Sequence, residues 1–169
     1  MPKRRPFHRP LVAALLLAAV AGAAFADEGE VQRIAGELER AKRKAAYGQW
    51  LYTEGVLAKS EAEERTLLVV RLKMDLEEAR SRQAKQEADA QQKRFGNREI
   101  GKEANDQAQS AAAAAQASAD AAALEWKHAE LDAAKLNLER QQRLYDKGLA
   151  PRSEVRRAEE AVAALKQEK

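Results

Sequence analysis

The chain has no cysteine, two histidines, and four prolines, three of which lie in the first ten residues. Without cysteine there is no disulfide framework, no thiolate metal site and no lipid-modified N-terminal cysteine. His8 lies near the N-terminus, so His128 is the only histidine in the body of the chain. A metal site needs several converging ligands, so neither a metal nor another cofactor is expected. There is no Ser-His-Asp candidate, no glycine-rich phosphate loop and no CxxC motif. Carboxylates are plentiful, but they alternate with Lys and Arg as neighbours along helices, and no pocket is expected to shift their pKa. The chain is therefore read as a non-enzyme with no small-molecule substrate. Aromatic residues make up only 5% of the sequence, too few for a thick globular core.

Charge and alanine are what it has. Charged residues are 34% of the chain, and alanine dominates the apolar set. This composition, with Glu, Lys, Leu and Arg and little glycine, marks long helices that bury narrow stripes against one another. The N-terminus differs from the rest. Lys3, Arg4, Arg5 and Arg9 precede a run of apolar and small residues from Leu11 to Ala24, and Ala24-Phe25-Ala26 offers a cleavage site before Asp27. A basic segment, a short apolar core and an A-x-A site read as a secretory signal peptide, residues 1–26, cleaved after Ala26. The apolar core is shorter than the ~20 residues of a membrane span. The expected destination is the periplasm. The net charge of +3 is a property of that signal, because the remainder has 26 basic and 27 acidic residues. Nothing then points to nucleic acid.

Four helices follow from the spacing. Val31, Ile34, Leu38, Ala41, Ala45, Gly48 and Tyr52 alternate three- and four-residue steps, a heptad seam ending at Glu54-Gly55. Ser60-Glu61-Ala62-Glu63 reads as a capping box that opens a second helix. Its stripe is Val69, Leu72, Leu76 and Ala79, widened by Leu67, Leu68, Val70 and Met74. Phe95-Gly96-Asn97 and Gly101 suggest a turn or break. A third helix runs from about Lys102 to Asp146. Ala fills 11 of the 16 positions from Ala108 to Ala123, favouring helix but burying little apolar area. Lys147-Gly148 ends it, and Val155, Ala158, Val162 and Leu165 form the stripe of a fourth. Packing is the expected role of Trp50 and Trp126.

The chain also repeats itself. Residues 37–76 align with 130–169 at a constant offset, with 13 identities in 40 positions, including Leu51/Leu144, Tyr52/Tyr145, Gly55/Gly148 and Ser60/Ser153. The shared Leu-Tyr-x-x-Gly block belongs to a turn, which coiled-coil periodicity does not explain. The expected fold is all-α: long antiparallel coiled-coil hairpins, up-down-up-down, with residues 27–95 as one hairpin, 96–101 as a break or turn, and 102–169 as another. The tips fall at residues 53–59 and 146–152. Leu51-Tyr52 and Leu144-Tyr145 are expected to plug the closed ends, with Arg140 and Arg143 on a solvated face.

From Asn137 to Val155, including Arg140, Leu144, Tyr145, Gly148, Pro151 and Ser153, the sequence resembles the α-helical hairpin tip of HlyD-type periplasmic adaptor (membrane fusion) proteins. That family's tip pattern is Arg, three residues, Leu, six residues, Ser. Arg140 and Leu144 match it, and Pro151 stands at the Ser position. In the other repeat only Leu51 is kept, beside Tyr52, Gly55 and Ser60. The resemblance implies a role in tripartite efflux or type I secretion, with these tips docking an outer-membrane channel of the TolC type. Self-association through the helices is also expected. Two other classes fit the same composition: a Skp/OmpH-like periplasmic chaperone, and a structural spacer coiled coil.

Overall fold

The computed structural model describes residues 11–167, with side chains described from residue 29 onward. It contains α1 (Leu11–Thr53), α2 (Lys59–Gly96), α3 (Lys102–Asp146) and α4 (Arg152–Gln167). No strand occurs among the described residues. The all-α class follows from composition. Proline is absent from every described helix, and alanine carries no side-chain entropy cost through the middle of α3. The expected signal peptide lies partly in residues 1–10, outside the described residues. The side chains of Ala24 and Ala26 lie outside them too. Among the described residues, no helix is long and apolar enough to cross a membrane.

Among the described residues only consecutive helices pack together: α1 on α2, α2 on α3, and α3 on α4. Moving up α1 from Glu30 to Gly48, the facing residues on α2 fall from Arg82 to Arg65. Moving up α2 through Glu63, Lys73, Glu77 and Gln92, the partners on α3 fall through Arg140, Glu125, Ser118 and Gln109. Gly48 has a steric reason to be glycine, since a Cβ there would lie 2.7 Å from Cδ of Arg65. The bare backbone lets that arginine's apolar stem lie across α1.

The core is thin. Ile34, Leu38, Leu76 and Ala79 are buried together, with Val31, Ala35, Val69 and Leu72 packed around them. This is the seam read from the spacing on α1 and the first stripe read on α2. The second stripe of α2 has its own explanation: Leu67, Val70 and Met74 are half-buried because α2 packs on both α1 and α3. Farther along, the α2–α3 contact is made by small residues. Ala88, Ala119 and Ala122 are buried, as is Ser81, whose Oγ donates to Oε1 of Gln116 at 2.9 Å. Alanine brings the helices close but buries little area, so polar side chains share this interface.

The capping box at Ser60 is corrected by the structure. α2 begins at Lys59 and its N-cap is Ala58, which has no side-chain cap. The N–H groups of Glu61 and Ala62 both donate to the carbonyl of Ala58. Ser60 is thus the second residue of the helix, too late to cap it. A serine caps a helix only from the N-cap position, and at Ser60 it already lies inside the first turn.

Candidate functional site

The three connections share one backbone design. Each helix ends, five residues pass, and the next begins. After α1, the N–H of Gly55 donates to Tyr52 and that of Val56 reaches back to Leu51, at 3.0 and 2.9 Å. After α3, Gly148 donates to Tyr145 and Leu149 to Leu144, both at 2.8 Å. This paired closure is the Schellman motif, and it requires a left-handed residue just past the helix. Gly55 (φ 74°) and Gly148 (φ 70°) supply it without a Cβ clash. The Leu-Tyr-x-x-Gly repeat is therefore the sequence form of one helix stop used twice.

The same closure ends α2. Arg98 donates its N–H to Phe95, and Glu99 donates to Arg94, both at 2.9 Å. Here the left-handed residue is Arg98, at φ 61°. The sequence reading placed a turn here but missed its kinship with the other two, because neither Gly96 nor Gly101 holds the left-handed position. The retained signal was the aromatic: Tyr52, Phe95 and Tyr145 each stand three residues before the left-handed residue.

The candidate residues divide by location. Leu51 and Leu144 are half-buried within the last turns of α1 and α3, and Tyr52 and Tyr145 beside them are exposed. The residue that follows each left-handed glycine is the most exposed apolar group at its tip: Val56 is 73% exposed and Leu149 71%. In a Schellman motif this position often packs back on the helix, and here it projects. Neither residue stood out in the sequence, because a single aliphatic in a loop carries no period. Pro151 precedes α4, where its missing N–H is no loss. Its carbonyl accepts from Glu154 at 3.0 Å. Ser153 and Ser60 both sit in second helical positions.

Arg140 is corrected. Rather than lying on a solvated face, its guanidinium donates to Oε2 of Glu63 at 2.5 Å across the α2–α3 contact, with side-chain exposures of 33% and 28%. This charge-assisted bond ties one edge of the guanidinium to α2. Arg143 is exposed; its Nε donates to the carbonyl of Glu139 at 3.2 Å, and its guanidinium lies 3.8 Å from the Glu139 carboxylate. Trp50 is also corrected: it is 52% exposed, and its one ring partner is Tyr47, stacked at 5.5 Å between centroids. Trp126 is half-buried.

Because α1 and α3 pack on α2 but not on each other, a shallow apolar trough opens between them. It is lined by Gln49 and Tyr52 from α1, by Ala62, Thr66, Leu67 and Val70 from α2, and by Ala129, Ala133 and Leu136 from α3. Its one acid, Glu63, is tied to Arg140 and lies 3.7 Å from Lys59. Glu39 and Asp132 are fully exposed carboxylates held below their ordinary range, each by a hydrogen bond and the charge of its neighbour, Lys42 or Lys135. Among the described residues, no three His, Cys, Asp or Glu side chains converge as metal ligands. Comparison with protein-family models, with curated proteins and with solved structures gives no match.

Proposed function

We propose that this chain is an exported, non-enzymatic docking protein that presents two like-built hairpin tips to a protein partner. In this reading the signal peptide is removed after Ala26 and the mature chain works in the periplasm. Its helices form antiparallel hairpins, up-down-up-down. The falling order of partners on successive helices supports this arrangement. So does the Arg140–Glu63 pair, which holds the end of α3 beside the start of α2. The tips at 54–58 and 147–151 then share one end of a rod, and the connection at 97–101 occupies the other.

The observation that carries the proposal is the projection of Val56 and Leu149. A rigid backbone closure holds each aliphatic in water at the apex of a tip, flanked by an exposed tyrosine. Apolar and aromatic side chains fixed on a rigid turn lose little entropy on binding. The resemblance of residues 137–155 to the adaptor hairpin names the partner class: an outer-membrane channel of the TolC type, reached as part of efflux or type I secretion. The binding set differs from the one expected for that family. Leu144, Tyr145, Leu149 and Pro151 form it, and Arg140 serves the fold.

The test is a paired substitution at the apices, Val56→Glu with Leu149→Glu. Both side chains are solvent-exposed, so thermal stability should change by less than ~0.5 kcal/mol. Co-purification of the channel from solubilised outer membranes should be lost. Retention of the channel by a folded double variant would remove the tips from the docking surface.

A further inference from the structure

The connection between α2 and α3 has a feature that its fold does not require. Three turns share one backbone closure, and two of them place glycine at the left-handed position. The third places Arg98 there, at φ 61°. An L-residue in that region is strained by its Cβ, and glycine removes the strain. Nothing inside the molecule uses the side chain in return. Among the described residues, Arg98 makes no side-chain hydrogen bond and no ion pair, while its neighbour Arg94 lies 3.6 Å from Glu99. Backbone strain with no internal use points outward, to a surface contact.

The surroundings define the chemistry. Lys93, Arg94, Arg98 and Lys102 are all exposed and encircle the turn, against two acids, Glu99 and Glu103. Glu99 is engaged by Arg94 and by the amide of Asn97. Phe95, in the last turn of α2 beside the connection, is 41% exposed. Charge alone does not single out this turn, because residues 143–153 are also basic. The left-handed arginine does.

From this we infer that the 97–101 turn docks on an anionic lipid surface. The cations would meet headgroup phosphates, and Phe95 would enter the boundary between headgroups and acyl chains. The shape favours lipid over an acidic protein. A protein hot spot needs several packed side chains that exclude water. This turn has one exposed aromatic and four exposed cations beside it. A bilayer meets that pattern in any orientation, since its phosphates are everywhere and its apolar layer lies just beneath.

The experiment is flotation of the purified protein with vesicles of phosphatidylglycerol and phosphatidylcholine, against phosphatidylcholine alone. Every variant carries the same N-terminus, so whatever residues 1–26 contribute cancels in the comparison. Wild-type protein should float with the anionic vesicles only, and raising the salt to ~0.5 M should release it. Arg98→Gly should weaken binding about fivefold, at roughly 1 kcal/mol per cation, while raising the melting temperature. Arg98→Lys should bind within about twofold of wild type. Phe95→Ser should lose about fivefold, since only the exposed two-fifths of the side chain is left to bury in the bilayer. A purely structural role predicts the opposite for Arg98→Gly: a more stable protein that binds at least as well. That result would overturn the proposal, as would equal binding to neutral vesicles. Binding to soluble poly-glutamate but not to vesicles, with the same dependence on Arg98, would reassign the turn to an acidic protein.

Discussion

At the scale of single residues, the left-handed positions decide how each helix stops. Gly55 and Gly148 were readable in the sequence because a tyrosine-anchored glycine recurs at the same offset. Arg98 was not, because arginine has no preference for the left-handed region that glycine, Asn and Asp favour. Gly55→Ala and Gly148→Ala should each destabilise the fold by about 1 kcal/mol, lowering the melting temperature by ~2–4 °C. Open space around both glycines means that strain, not collision, is what such a melt would report. Arg140 poses a different question. Its type and spacing matched a docking pattern, but spacing along one helix cannot show that Glu63 waits on the next. Arg140→Ala should cost roughly 1 kcal/mol in urea unfolding and leave channel co-purification intact. Loss of the channel without loss of stability would return Arg140 to the docking surface.

Among the elements, the seam and the alanine tract should behave differently. Heptad spacing exposed the α1 seam and the first stripe of α2 in the sequence, because apolar periodicity reports burial directly. The second stripe was visible only as extra apolar residues. Its meaning depended on α2 lying between two neighbours, and no single helix encodes that. Leu76→Ala, in the buried cluster with Ile34, Leu38 and Ala79, should cost about 2–4 kcal/mol by chemical denaturation. Leu124→Ala should cost less than ~0.5 kcal/mol, since Leu124 is 59% exposed. Between residues 104 and 124 the α2–α3 contact rests on small buried residues, Ala119 and Ala122 against Ala88 and Ser81, and on polar pairs, Ser81–Gln116, Ser118–Glu77 and Gln109–Gln92. So small a buried area should open locally. Backbone amides there should exchange with deuterium before those of residues 31–41 and 69–79.

For the whole molecule, every packed interface joins helices adjacent in sequence, so the chain can build outward from short-range contacts and needs no distant pairing. The side chains that lack neighbours then fall at the ends and edges. The repeat made the two tips at 54–58 and 147–151 legible, but it could not show which tip residues project. That depends on the angle at which each closure releases the chain. The direct measurement is photocrosslinking in cells, with a photoreactive residue in place of Leu149 or Val56 and a control at Leu124. Leu124 is comparably exposed but lies far from either tip along α3. The account predicts one outer-membrane channel adduct from both tip positions and none from position 124. Adducts that are absent at both tips, or equally strong at position 124, would contradict it.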